Sequence, residues 1–197
     1  LDDLAILGDE DENDDPARHA LLARHRRIDD PRRGDERRLD DARARAQDDS
    51  KGYAVDFVSA AMKPNLARIA GRGIKVISNA GGVNPLACAD ALRALIKEQG
   101  LDLSVACVIG DDLMGAAAEL AAAGTTEMFS GEPFPAVSKL QSINAYLGAF
   151  PIARALAAGA DIVVTGRCVD SAVTLGACIH AFGWGRDDLD RLAMGSL

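Results

Sequence analysis

Aromatic side chains are scarce in this chain: one Trp, two Tyr and five Phe among 197 residues. So few rings argue against a platform for stacking the bases of single-stranded nucleic acid. The basic excess that a phosphate backbone demands is missing too, since the formal net charge is -8, so no nucleic-acid partner is expected. No apolar run approaches the ~20 residues that span a bilayer, and no basic-then-apolar signal segment opens the sequence. The chain therefore reads as cytoplasmic, with no membrane partner. Cysteines number four, Cys88, Cys107, Cys168 and Cys178, with no Cys-x-x-Cys spacing. Neither a zinc site nor a disulfide framework is expected, and the four read as buried reduced thiols. Gly-x-Gly-x-x-Gly and the Gly-Lys-Ser/Thr of a phosphate loop do not occur, which leaves dinucleotide and ATP binding without support.

What is present suffices for one buried core, since 48% of the residues are apolar. Charge is spread unevenly. Residues 1–50 hold 16 acidic and 10 basic side chains, and the other 147 hold 14 and 12. The basic residues of the first segment are all Arg, whereas all five Lys occur from Lys51 onward. "RHRRIDDPRRGDERRLDDARARAQDD" has too few large apolar residues to build a core face, so it reads as disordered or as a loosely held helix. A second reading is that part of this segment is translated out of frame, because GC-rich coding DNA read in the wrong frame yields Arg, Asp, Ala and Pro without Lys. Sequencing the gene across the region separates the two. The expected organisation is thus a charged segment over 1–50 and an incomplete α/β domain over 51–197. The absence of an initiator Met and the stop at "RLAMGSL" make a fragment the expectation.

From Gly52 the pattern is regular. Val55, Val58, Met62, Leu66 and Ile69 recur at helical spacing, with Pro64 interrupting the helix and Gly71 ending it. "IKVIS" is β-branched and apolar enough for a buried strand. Asn84 is placed as an N-cap and Pro85 as a first helical residue, which predicts a helix over "PLACADALRALIKEQ" closed by Gly100. "LSVACVI" predicts a second strand and "LMGAAAELAAAG" a helix. After a loop come a helix around "NAYLGAFPIARALAAG", the strand "DIVVT", and the helix "AVTLGACIHAFG". Strands alternating with helices imply parallel strands joined by right-handed crossovers, hence a Rossmann-like parallel sheet flanked by helices.

In such a sheet ligands bind beyond the carboxyl ends of the strands, and three unusual turns fall there. The first, 78–84, offers Asn79 and two glycines, Gly81 and Gly82. Asn84 then opens a helix whose N-terminal amides favour an anion; the alternative is a tight turn capped by Asn84. The second, Gly110-Asp111-Asp112, presents two carboxylates for acid/base work, or one of them caps a helix. Two adjacent acids are weak grounds for a metal, and none is expected. The third, 165–171, places Thr165, Gly166 and Arg167 at the edge. The planar fork of Arg167 suits a carboxylate or phosphate, and Asp170 and Ser171 either orient that Arg or cap the next helix. Asn144 reads as another N-cap or as a ligand contact, and His180 as a packed or capping histidine.

"SKGYAVDFV", "RGIKVISNAGGVNPLACADAL", "VIGDDLM", "TEMFSGEPFP", "NAYLGAFPIARALAAGADIVVTGRCVDSAVTLG" and "FGWGRDDLDRLAMGSL" together resemble the N-terminal domain of the acyclic terpene utilisation protein A family. The resemblance covers residues from about Ser50 to the end; the first 50 residues do not resemble the family's usual start. It implies a longer protein with a smaller C-terminal domain. It also implies a role in bacterial catabolism of acyclic terpenes, which runs through acyl-CoA intermediates. A CoA thioester is then a substrate rather than a cofactor, and the cofactor stays open. Two classes remain. One is an enzyme acting on a branched or unsaturated acyl or acyl-CoA compound, with Asp111, Asp112 and Asp170 as candidate catalytic acids. The other is a non-catalytic binding or assembly subunit, with a homo-oligomer or pathway partner.

Overall fold

The structure, a computed structural model, describes residues 5–6, 21–23 and 40–197. The expectations for the rest of the first segment fall outside the described residues. Five short parallel strands form one open sheet: β1 (Ala5–Ile6), β2 (Leu21–Ala23), β3 (Lys75–Ser78), β4 (Val105–Val108) and β5 (Ile162–Thr165), in the order β1-β4-β5-β3-β2. The three central strands carry the core. Their register sets Ile77 and Ala106 on either side of Val163.

Strand side chains alternate between faces, and each face is covered by helices. On one, Val76, Val105, Cys107, Ile162 and Val164 pack with Leu66 and Ile69 of α2 (Leu66–Arg72) and with Cys88, Leu92 and Ile96 of α3 (Pro85–Glu98). On the other, Ile77, Ala106, Val108 and Val163 meet Ile152 and Leu156 of α5 (Phe150–Ala157) and Val173, Ala177 and Ile179 of α6 (Ala172–Phe182). Burial on both faces explains why the strands read as continuous apolar runs rather than alternating ones. The described residues also include shorter helices: α1 at 40–47, α4 (Ala117–Ala122) and α7 (Leu189–Gly195). The Rossmann-like α/β architecture read from the sequence is the one observed.

Three local expectations are corrected. Val55 is 51% exposed and precedes a single π-helical turn, Phe57–Met62, which Pro64 separates from α2. Gly71 lies inside α2, and Gly73, at φ 60°, ends the helix, because a left-handed terminal residue costs glycine little. The helix expected around "NAYLGAFPIARALAAG" starts only at Phe150, with Pro151 in its first turn; Asn144 pairs with Asp112 and Leu147 with Cys168 as isolated bridges. The four cysteines are free, three of them buried and Cys178 half-buried. Burial pushes the Cys88 and Cys107 thiols up to about 12, which keeps them protonated and unreactive.

The amino-terminal edge of the sheet is tied by a carboxylate. Asp161 Oδ1 accepts from Lys75 Nζ at 2.9 Å, and Oδ2 from Ser104 N and Oγ, each at 2.8 Å. Burial favours the protonated carboxyl, but the Ser104 and Lys75 hydrogen bonds outweigh it and hold Asp161 below the usual carboxylate range. A folded pKa below the unfolded one contributes stability that is present above the unfolded value, about 4, and is lost as pH falls through the folded one. Urea titrations from pH 6 to 2 are expected to show wild-type stability falling below about pH 4 more steeply than that of Asp161→Asn. Parallel curves would contradict the assignment.

Candidate functional site

The three turns predicted to converge do so. Gly81 N donates to Thr165 O at 3.1 Å, which pins the first turn to the end of β5. Only glycine fits there, since a Cβ on Gly81 would lie 2.5 Å from Thr165 O and 2.6 Å from Pro85 Cβ. The other amides of this turn are also taken. Ala80 N bonds Ser78 Oγ, Gly82 N bonds Asn79 O, Val83 N bonds Gly52 O and Asn84 N bonds Gly81 O. Asn84 caps α3 by accepting from Ala87 N at 3.4 Å, and its Nδ2 donates to Asp49 O and Lys51 O, both at 2.7 Å. In this arrangement the turn offers no backbone donor from Ala80 to Asn84 to an anion. Of the two roles read for it, the capped turn is the one the hydrogen bonds make. The side chain of Asn79, half-buried on the rim, has no hydrogen-bond partner among the described residues.

Asp111 is the hub of the edge. It is 2% exposed; its Oδ2 accepts from Arg167 N at 2.8 Å and Asn144 Nδ2 at 3.0 Å, and its carbonyl accepts from Ala145 N at 2.8 Å. The carboxylate lies against Gly166, where a Cβ would stand 2.7 Å from Asp111 Cγ. Asp111 therefore joins the second turn, the third turn and the 143–147 segment. Its neighbour Asp112 is exposed: Oδ1 accepts from Met114 N at 3.0 Å, and Oδ2 pairs with Arg45 Nη1 at 3.3 Å. Arg45 also donates from Nη1 to Val83 O, so α1 bridges the first and second turns.

Arg167 does not pair with Asp170. It donates from Nη2 to Tyr146 Oη at 2.8 Å, with its guanidinium carbon 5.1 Å from the centre of the Tyr146 ring. Asp170 is exposed and shares no ion pair with Arg167 among the described residues. Ser171 stands at the N-cap of α6 without a side-chain capping bond. Thr165 is buried, and its Oγ1 donates to Gly166 O at 2.9 Å. Asn144 is not an N-cap either. Ala149 holds that position on α5, and the Asn144 amide is drawn to Asp111 instead. His180 lies in the last turn of α6, away from the three turns.

Two residues of the site escaped the sequence reading. Tyr146 is one of only two tyrosines and carries no motif of its own. Arg45 is hidden in the Arg-rich first segment. Among the described residues no group of three or more His, Cys, Asp or Glu could hold a metal ion, and no helix is long and apolar enough to cross a membrane. Two surface depressions adjoin the turns without containing Asp111 or Arg167. One, of about 350 Å³, is lined by Ser171, Thr174 and residues 195–197; the other, of about 300 Å³, lies between α1 and residues 140–141.

An open parallel sheet with helices on both faces, two of its carboxyl-edge turns joined by one buried carboxylate, defines a Rossmann-like α/β protein with a candidate small-molecule site at that edge. The chain belongs to the acyclic terpene utilisation family: the family model described as "Acyclic terpene utilisation family protein AtuA" matches residues 36–197, a span that includes α1. No curated protein and no solved structure matches the chain.

Proposed function

We propose that this acyclic terpene utilisation protein binds an anionic acyl metabolite, a branched or unsaturated acyl-CoA or its free acid, at the carboxyl edge of the sheet in terpenoid or related catabolism. The observation that carries this reading is the state of Arg167. It is half-buried at the carboxyl edge of the sheet, with no carboxylate partner among the described residues and with Nε buried and unpaired. A cation so placed favours a carboxylate or phosphate. Asp112, exposed on the second turn, is the candidate acid/base, and Asp111 positions the site.

The second reading, a binding subunit without chemistry of its own, is favoured by a separate observation. The carboxylate of Asp111 is committed to holding the turns, and that of Asp112 to Met114 N and Arg45. Arg167→Ala keeps the backbone N–H that bonds Asp111, so the fold should survive. Calorimetric titration with a branched acyl-CoA is expected to show affinity falling at least tenfold in this variant, about 1.4 kcal/mol or more. Unchanged affinity would remove the site from this edge. Asp112→Asn is expected to abolish turnover with binding largely kept under the enzymatic reading, and unchanged pathway flux in that variant would favour the binding subunit.

A further inference from the structure

Three buried side-chain polar atoms lack a hydrogen-bond partner among the described residues: Asn144 Oδ1, Arg154 Nη1 and Arg167 Nε. Two of the three belong to residues bonded to the same oxygen, Asp111 Oδ2. Arg167 reaches that oxygen through its backbone N while its side chain runs to Tyr146, and native interiors leave few such atoms unpaired, so two on residues tied to one carboxylate point to an occupant. They are also of opposite kind, Asn144 Oδ1 accepting and Arg167 Nε donating. The orientation of the Asn144 amide is fixed by chemistry, because turning it over would face its oxygen to the Asp111 carboxylate.

Resting on the acyl-ligand reading above, we infer that the site selects a ligand whose acyl group bears a hydroxyl near its carbonyl or carboxylate. A carboxylate alone satisfies only Arg167 Nε and opposes Asn144 Oδ1. A hydroxyl gives its proton to Asn144 Oδ1, and an oxygen of the same ligand accepts from Arg167 Nε. Both atoms are shut from solvent in the structure, so the ligand seats as the 143–147 segment shifts. The shift has to release bonds that hold the segment, among them Ala145 N to Asp111 O and Leu147 N to Arg167 O. A site built to bond a hydroxyl discriminates strongly against the analogue that lacks it, since the deoxy ligand leaves a buried acceptor unpaired.

The test is a calorimetric comparison of matched probes on the wild-type protein: a branched C10 acyl-CoA and its 2-hydroxy and 3-hydroxy counterparts. One hydroxy probe is expected to bind at least tenfold more tightly than the deoxy compound. In Asn144→Ala that ratio is expected to fall to about one, with folding checked by a thermal melt. If the variant does not fold, the wild-type ratio decides alone. Equal wild-type affinity for all three would overturn this inference and leave the acyl-ligand reading standing, with water then filling the pair. Binding of none of them would overturn both.

Discussion

Gly81→Ala is expected to destabilise the fold by about 3 kcal/mol, the upper end of the usual cost of overpacking. The added methyl would lie between Thr165 O at 2.5 Å and Pro85 at 2.6–2.7 Å. Both walls are main chain or proline ring, so no flexible side chain can move aside. Relief requires breaking the Gly81 N to Thr165 O bond or shifting the start of α3, and either separates the first turn from β5. Gly71→Ala is the matched control. Nothing lies within 4 Å of the added carbon there, and the residue sits inside α2. That change is expected to stabilise by about 0.4–1 kcal/mol. Urea denaturation of both variants checks the pair. A loss in Gly81→Ala no larger than 0.5 kcal/mol would mean that the turn is looser than its contacts imply.

Asp111→Ala carries the second large effect. Removing the carboxylate leaves Arg167 N–H and Asn144 Nδ2 without an acceptor, at roughly 1–3 kcal/mol for each donor so abandoned. Asp111→Asn is a sharper probe than a second deletion. Both donors converge on one oxygen, Oδ2, at 2.8 and 3.0 Å. An amide that puts its carbonyl oxygen in that place keeps both bonds at reduced strength. Asp111→Asn is therefore expected to retain more than half of the stability lost in Asp111→Ala, as read by chemical denaturation. Equal losses would show that the charge, rather than the acceptor geometry, holds the turns.

Much of the architecture was legible because its determinants are local. "KVIS" and "IVVT" are β-branched and bounded by turn residues, and the Asn84-Pro85 pair marks the start of α3 to the residue. "GRG" was ambiguous locally, with two glycines close together, and only backbone geometry assigns the left-handed end to Gly73. The convergence of the three turns followed from parallel topology alone. The partners at that edge did not, since each is set by a residue far away in sequence. Asn144 before an apolar stretch has the signature of a cap, yet Asp111, 33 residues earlier, claims its amide. Arg167 has Asp170 three residues on, but takes Tyr146, 21 residues back. Arg45 meets Asp112 across 67 positions. Local propensity carries no record of such pairings.

The separations that concealed the site also bear on how the chain reaches its native state. β3 and β5 are adjacent in the sheet, yet Lys75 and Asp161 at their starts are 86 residues apart. The Asp111 to Arg167 bond closes 56 residues, and α5 must form between them to complete the crossover from β4 to β5. Loop-closure entropy is incurred before such contacts return anything, so a fold of this kind acquires its helices early and its parallel pairing late. The carboxyl edge, held by polar bonds between segments that meet only after β5 docks, is therefore expected to assemble last. By the same reasoning it is the first to open from the native side, at a free energy below that of global unfolding. The proposed ligand site thus falls on the part of the frame whose contacts close last, where a bound molecule would add to the cooperativity of the fold.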